Sequence, residues 1–173
     1  MDLKKTIRTI PHWPIKGVMF RDITTMLQDG EAFKHACDKL HERYKDMNLK
    51  AVVGIESRGF IFGSVLAYLL GISFVPIRKP GKLPHKTVSV EYEKEYGKDK
   101  VEIHEDAIQK GDRIVLIDDL IATGGTCAAA AELVQKLGGE IVECAFIVDL
   151  PDLKGKEKLK EHKIFTMVEF EGE

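Results

Sequence analysis

The sequence of 173 residues is poor in cysteine and carries little excess charge of either sign. Its three cysteines, Cys37, Cys127 and Cys144, are odd in number and far apart, which argues against a disulfide framework or a zinc site. Lysine and arginine (26) nearly balance aspartate and glutamate (28), so we expect no nucleic-acid partner. Any charged ligand must therefore be bound by a local cluster of residues.

Long apolar runs are also missing. The longest, residues 60–72, is interrupted by Gly63, Ser64 and Gly71, and it falls short of the roughly 20 residues that a membrane span needs. The first residues contain lysines but no uninterrupted apolar stretch of the kind found in a secretory signal. We therefore expect no membrane partner, a cytoplasmic location and one domain over residues 1–173.

Strand-like and helix-like segments alternate along most of the chain. Apolar runs predict strands at residues 51–55, 73–77, 113–117 and 141–149, and helical periodicity predicts helices at 31–48, 59–70 and 125–137. Residues 87–104 indicate a hairpin, 151–159 a polar helix or loop, and 163–170 alternate apolar and polar residues. This order predicts an α/β fold with a parallel sheet and helices on both faces. Residues 1–30 are predicted to be irregular, and one interpretation is a cap over an active site.

Residues 114–126, IVLIDDLIATGGT, combine a buried strand, two adjacent carboxylates and a glycine turn that opens a helix. Glycines let the backbone approach a phosphate, amides at a helix start point towards it, and Thr123 and Thr126 add hydroxyl donors. The paired acids Asp118 and Asp119 suit vicinal hydroxyls or a magnesium-bound sugar. No lysine is present, so this is not a Walker loop. The alternative, a helix N-cap with a glycine turn, gives no reason for two acids.

DDLIATGGT after an apolar strand resembles the phosphoribosyl pyrophosphate signature of type I phosphoribosyltransferases. The resemblance implies their fold, a central, mainly parallel twisted sheet with helices on both faces, a flexible β-hairpin loop and a small N-terminal hood (1–30) on a core (31–173). It implies that Asp118 and Asp119 hold the ribose hydroxyls. It also implies that Mg²⁺ is bound mainly through the substrate, near these two acids, with no direct protein metal site. The 5-phosphate would be wrapped by Ala122, Thr123, Gly124, Gly125 and Thr126.

Two further loops follow predicted strands and carry basic residues. In GIESRGF, Arg58 stands at a helix start and could grip a diphosphate, although taken alone it is equally a structural ion-pair residue. Residues 78–86 could close over a leaving diphosphate, although such a charge run is more often a solvated face. By resemblance, the first loop binds pyrophosphate and the second is the flexible catalytic loop. The pyrophosphate residues would be Glu56, Ser57, Arg58, Arg78, Lys79 and Lys82, with Arg58 also catalytic.

The motifs FRDIT, GIESRGF, RKPGKLP and EYGKD together resemble the adenine phosphoribosyltransferases over nearly the whole chain. The resemblance implies that Phe20 stacks on the adenine ring and Leu120 covers its other face, while backbone groups near Met19 and Arg21 read the edge. The alternative for Phe20 is an ordinary core phenylalanine. Glu95, from EYG, would be the catalytic group that handles the proton, as either acid or base.

The resemblance thus implies a pentosyltransferase that moves the 5-phosphoribosyl group from phosphoribosyl pyrophosphate to adenine. The reaction would depend on Mg²⁺ and give AMP and pyrophosphate in purine salvage, and the enzyme would be a homodimer. A regulator that only senses phosphoribosyl pyrophosphate would need a nucleic-acid-binding element, and no such element is visible in the sequence. An enzyme for xanthine or orotate should differ around Phe20 and Glu95.

Overall fold

The computed structural model describes residues 1–94 and 97–172. Its strands are β1 (Arg8–Pro11), β2 (Met19–Asp22), β3 (Ala51–Ile55), β4 (Ser73–Ile77), β5 (Thr87–Glu93), β6 (Lys98–His104), β7 (Arg113–Ile121), β8 (Glu140–Asp149) and β9 (Ile164–Glu169). Its α-helices are α1 (Thr24–Gln28), α2 (Gly30–Tyr44), α3 (Gly59–Leu70) and α4 (Gly125–Lys136). Short 3-10 helices cover Leu3–Thr6, Pro151–Leu153 and Gly155–Leu159.

The centre of the fold is a five-stranded sheet in the order β4-β3-β7-β8-β9, in which each neighbouring pair is parallel. Side chains alternate between its two faces, as the pleat of a strand requires. Val52 and Val115 point to the side covered by α2 and α3, whereas Val53 and Leu116 point to the side covered by α4 and the β5–β6 hairpin. The predicted α/β fold with helices on both faces is confirmed.

Several predicted elements are confirmed with the same bounds, namely β3, α3, β4 and the outer limits of the hairpin. Helix α2 begins where Asp29 accepts hydrogen bonds from the amides of Glu31 and Ala32, at 3.1 Å each. It ends at Tyr44 rather than at residue 48, and Asn48 beyond it has a φ of +50°. The three cysteines are free and buried, as expected.

The N-terminal residues are more regular than the sequence predicts. Residues 1–30 were expected to be irregular, and this was wrong, because β1 and β2 form an antiparallel ladder and α1 follows it. The strand pattern is hard to recognise in the sequence because prolines and glycines interrupt it. Each strand also has only four residues and pairs with the other across a loop. No helix in the described part of the chain is long and apolar enough to cross a membrane.

Candidate functional site

The loops that follow β3, β4 and β7 meet at one edge of the sheet, where parallel strands place their carboxyl ends. They enclose a cleft of about 530 Å³. A smaller cavity of about 110 Å³ adjoins it along the loop after β7. The cleft is lined by Glu56, Ser57, Arg58, Lys79, Lys94, Asp118, Asp119, Leu120 and Thr126. Three segments that the sequence identified separately therefore form one site.

The two adjacent carboxylates lie inside β7, which runs to Ile121 instead of ending at Ile117 as predicted. Asp119 is only 5% exposed, and its carboxylate accepts a hydrogen bond from the Arg58 Nε atom at 2.5 Å. Asp118 is half-buried, and its Oδ1 atom accepts a hydrogen bond from the Asp119 amide at 2.8 Å. Burial, together with the negative charge of Asp119, raises the pKa of the Asp118 carboxyl. The two acids thus have different environments at one wall of the cleft.

The helix-capping alternative for this motif fails. Helix α4 begins after Gly124, a residue without a side chain, and no side chain caps the helix there. Asp119 is instead paired with Arg58 and does not cap the helix. The uncapped amides at the start of α4 remain available to an anion, as at other phosphate-binding helix starts.

The glycine turn has a backbone conformation that a phosphate loop needs. Gly124 has a φ of +79°, which is strained for other residues. A Cβ atom on Gly124 would lie 2.4 Å from the carbonyl oxygen of Gly155, so the space is also closed to larger residues. At the neighbouring loop, a Cβ atom on Gly59 would lie 2.8 Å from the Ile117 carbonyl oxygen. Both loops therefore require glycine for close backbone approach.

Glu56 gathers the basic residues predicted to bind pyrophosphate. Its carboxylate accepts hydrogen bonds from Arg78 Nη2, Lys82 Nζ and the Lys79 amide, each at 2.9 Å. The hydrogen bond from Arg78 is the main cause that lowers the pKa of Glu56 to about 2, although burial opposes it. The Glu56–Ser57 peptide bond is cis. Arg78 and Lys82 are thus held beside the cleft by Glu56, while Lys79 lines it.

Arg58 has a structural contact and also a place in the cleft wall. It forms the ion pair with Asp119 that the structural alternative requires, and it also lines the cleft. The guanidinium carbon lies 6.0 Å from the centre of the Phe20 ring. Arg58 therefore stands between the predicted base slot and the paired carboxylates.

The hairpin contributes residues to the site that the sequence analysis missed. The Tyr92 hydroxyl lies 3.0 Å from Thr126 Oγ1 and accepts a hydrogen bond from Lys79 Nζ at 3.3 Å. Asp99 pairs with both Lys79 and Lys94, and these cations lower its pKa against the opposing effect of burial. Tyr92 lies opposite Asp99 in the antiparallel register, and this pairing is seen in the structure rather than in the sequence. Glu95, the predicted proton-handling residue, lies outside the described residues.

The N-terminal segment brings Phe20 close to Arg58 of the cleft wall. This side chain is half-buried and packs edge to face on Trp13, with ring centres 4.4 Å apart. Among the described residues, Phe20 belongs to neither of the two hydrophobic cores, so the core alternative is not supported. Arg21, by contrast, donates to Thr9 Oγ1 at 2.8 Å, so its guanidinium has a structural contact away from Phe20. Met19 and Arg21 are neighbours of Phe20 on β2, and Leu120 lies in the cleft wall.

Within residues 1–94 and 97–172, no group of three or more histidine, cysteine, aspartate or glutamate side chains is arranged to hold a metal ion. The acidic groups in the cleft wall are Glu56, Asp118 and Asp119. Glu56 is occupied by its three donors and Asp119 by Arg58.

Comparison with known proteins identifies the family of this chain. The model of the phosphoribosyl transferase domain matches residues 24–172. An adenine phosphoribosyltransferase of Desulfosudis oleivorans is 61% identical, with 100% of each chain covered. The crystal structure of adenine phosphoribosyltransferase from Thermoanaerobacter pseudethanolicus superposes with a TM-score of 0.94 at 46% identity, covering 98% of each chain. The Saccharomyces cerevisiae enzyme, crystallised with adenine and an imino-altritol bisphosphate, gives a TM-score of 0.91 at 40% identity, covering 96% of this chain and 97% of that one. The chain belongs to the phosphoribosyltransferase family, among the adenine phosphoribosyltransferases, and is a pentosyltransferase.

Proposed function

We propose that this enzyme transfers the 5-phosphoribosyl group from phosphoribosyl pyrophosphate to adenine, with Mg²⁺, and releases AMP and pyrophosphate in purine salvage. The observation that carries the proposal is that paired carboxylates and basic residues line one cleft, while a glycine-rich helix start lines the smaller cavity that adjoins it. These groups match the three parts of the donor substrate, phosphoribosyl pyrophosphate, which are a ribose with two hydroxyls, a 5-phosphate and a diphosphate. The yeast relative that was crystallised with adenine supports adenine as the acceptor.

The donor would lie along the cleft from the start of α4 to the loop after β3. Residues 122–126 would hold the 5-phosphate through backbone amides and the hydroxyls of Thr123 and Thr126. Asp118 and Asp119 would accept hydrogen bonds from the ribose hydroxyls. The diphosphate would meet Ser57, Arg58 and Lys79, with Arg78 and Lys82 held nearby by Glu56. Each anionic part of phosphoribosyl pyrophosphate would thus meet hydrogen-bond donors, and each ribose hydroxyl would meet a hydrogen-bond acceptor.

In the transfer step, the bond from the anomeric carbon to the diphosphate oxygen breaks and a bond to a purine nitrogen forms. Positive charge develops on the ribose ring, and negative charge develops on the departing diphosphate. The carboxylates stabilise the first and the basic side chains the second, which is the electrostatic kind of catalysis. The purine loses a proton, and we predict that Glu95 handles this proton.

The adenine ring would stack on Phe20, with Leu120 on the opposite face. Phe20 is suited to this role because Trp13 fixes its ring and leaves it half-buried beside Arg58. A flat apolar slot favours a purine through stacking. Backbone groups of β2 near Met19 and Arg21 would read the exocyclic amine, since the Arg21 guanidinium is engaged with Thr9.

The acids of the cleft suit Mg²⁺ that is held chiefly by the substrate. Magnesium usually keeps several waters and binds through one or two carboxylates together with substrate phosphates. Asp118 and Asp119, which line the cleft, are the carboxylates that would contribute to such a site, with the substrate supplying the other oxygens. When bound, the ion neutralises charge on the diphosphate as it leaves.

Removal of Mg²⁺ tests this part of the proposal. We expect EDTA to lower the rate of AMP formation from adenine and phosphoribosyl pyrophosphate by roughly 100-fold or more, because the diphosphate would then leave with less of its charge neutralised. The rate should return when Mg²⁺ is added in excess over EDTA. An unchanged rate after exhaustive chelation would contradict metal dependence, while AMP formation itself would still support the transfer.

We also propose that the enzyme is a homodimer that forms through the outer face of α3. No charged residue occurs from residue 59 to residue 77. On this helix Tyr68 is 84% exposed and Leu69 is 40% exposed. The neighbouring β4 is an edge strand of the sheet. A contiguous apolar surface without charges is typical of a face that another protein chain covers.

Tyr68→Glu should convert the dimer to a monomer, because a carboxylate would be buried without a partner in an apolar interface. Light scattering after gel filtration would report the mass relative to the 19.4 kDa chain. Leu153→Glu, which changes another exposed apolar residue away from α3, is the matched control and should stay dimeric. A monomeric wild type would contradict the homodimer, and a dimeric Tyr68→Glu variant would contradict this interface.

A further inference from the structure

We propose that Lys158 is a ligand of the 5-phosphate group, so that the segment Gly155–Leu159 completes the phosphate site from outside the glycine loop. The inference rests on the function proposed above. It addresses a gap in that site, because residues 122–126 contain no basic residue. The structure brings a lysine to the loop from a later part of the chain.

Direct backbone contact fixes this segment to the phosphate loop. A Cβ atom on Gly155 would lie 2.3 Å from the Ala122 carbonyl oxygen and 3.0 Å from the Gly124 amide nitrogen. The contact is mutual, since a Cβ atom on Gly124 would strike the Gly155 carbonyl. Such close approach is open only to glycine at both positions. Movement of one backbone would therefore disturb the other.

The other end of the segment is anchored in the core. Leu159 is 1% exposed and packs in the same core cluster as Cys127 and Ala130 of α4. The residues between Gly155 and Leu159 form a 3-10 helix, in which side chains three residues apart lie on the same side. Because Gly155 faces the phosphate loop, Lys158 faces it as well.

The ammonium group of Lys158 lies 3.8 Å from the position that a Cβ atom would take on Gly125. Gly125 is the first residue of α4, whose first turn has no acidic residue. The ring of Tyr92 and the carbonyl oxygen of Glu93 lie on the same side, at 3.4 and 3.7 Å from that position. Lys158 therefore lies between the hairpin and the start of the helix, where an anion bound by the loop would be within its reach.

Lys158 and the nearby Lys156 differ in their ion pairs. Lys156 pairs with Asp149 at 2.5 Å and with Glu169 at 3.1 Å. No acidic side chain in the described part of the chain pairs with Lys158. A cation next to a phosphate strengthens binding through charge attraction, and the effect is moderate when the lysine is solvent-exposed, as here.

The test compares ribose 5-phosphate, which carries the phosphate but no base, with adenine, which carries no phosphate. By calorimetry, Lys158→Met should weaken ribose 5-phosphate binding about tenfold at low salt while adenine affinity is unchanged. Lys158→Arg should retain most of the affinity because it keeps the charge. Lys160→Met removes an exposed lysine of the same segment's end and is the matched control, with wild-type affinity expected. In turnover, Lys158→Met should raise the KM for phosphoribosyl pyrophosphate and leave kcat close to wild type.

Two results would overturn the inference alone. Wild-type affinity of Lys158→Met for ribose 5-phosphate would show that the lysine does not contact the phosphate. Equal losses for ribose 5-phosphate and adenine would show that the residue only supports the structure. If the wild type itself bound no ribose 5-phosphate, the proposed function would fail together with the inference, and this outcome is distinct from the other two.

Discussion

Asp119→Asn is expected to reduce kcat/KM for phosphoribosyl pyrophosphate by about 100- to 1,000-fold, the range found when one preorganised electrostatic group is removed from an active site. The physical reason is the position of the carboxylate, which is buried at the cleft wall and paired with Arg58 at 2.5 Å. Asparagine keeps the shape and removes the charge that would stabilise the ribosyl cation. It also leaves the Arg58 guanidinium without its counter-charge beside the diphosphate.

The matched control for this prediction is Asp38→Asn. Asp38 is an exposed aspartate on α2 whose carboxylate pairs with Lys34, far along the sequence from the cleft residues. We expect this variant to keep wild-type turnover, because exposed ion pairs contribute little. Thermal unfolding of both variants would establish that each is folded. Asp119→Asn with turnover within about threefold of wild type would remove this carboxylate from the mechanism.

The parts of the fold that could be predicted from the sequence are those fixed by local pattern. β3 and β4 are short apolar runs, and α3 ends at Gly71, whose φ is +65°. Each is readable without its partners because periodicity and glycine report on neighbouring residues only. The glycine turn after the two aspartates was predicted as a phosphate loop for the same reason, since amides at a helix start are local.

The parts that could not be predicted depend on pairing between distant segments. β7 continues through both aspartates because Leu120 and Ile121 pair with Val148 and Asp149 of β8. A carboxylate pair interrupts the apolar pattern, so the sequence places the strand end too early. The β1–β2 ladder escaped prediction because Pro11 and Gly17 dominate its local signal, while the pairing runs from residue 8 to residue 22.

The contacts of the basic loop, residues 78–86, also depend on distant segments and could not be predicted from the sequence. The sequence predicted Arg78, Lys79 and Lys82 as pyrophosphate ligands from their place after a strand and from the resemblance to the family's flexible loop. The structure adds the acids that position them, Glu56 and Asp99. Glu56 was placed in the predicted pyrophosphate site, but its role as acceptor for two cations follows only from the packing of two loops. A run of charged residues in a sequence indicates that an ion of opposite charge can bind there. It does not show which side chains of the protein pair with those residues.

Selection of adenine over other purines is the second large effect that we expect. Adenine presents an amine at the position where hypoxanthine and guanine present a carbonyl oxygen. If backbone acceptors beside Phe20 read that amine, a carbonyl would face another acceptor, and both groups would be left unpaired in the slot. A site built around such a hydrogen bond rejects the wrong partner by about 10,000-fold or more in kcat/KM.

Stacking alone would give a different result. In the proposed slot, Phe20, which packs against Trp13, and Leu120 of the cleft wall would contact the flat surfaces that all purines share. If those contacts were the whole recognition, the bases would differ by no more than about tenfold, since a similar apolar area is buried for each. The ratio between bases therefore separates edge recognition from stacking.

The most direct test of the central claim is an assay with phosphoribosyl pyrophosphate, Mg²⁺ and one purine base at a time. Nucleotide formation would be followed by absorbance with adenine, hypoxanthine, guanine and xanthine. We expect rapid conversion of adenine to AMP and rates lower by orders of magnitude for the three 6-oxopurines. Equal rates for all four bases, or no AMP from adenine, would contradict it.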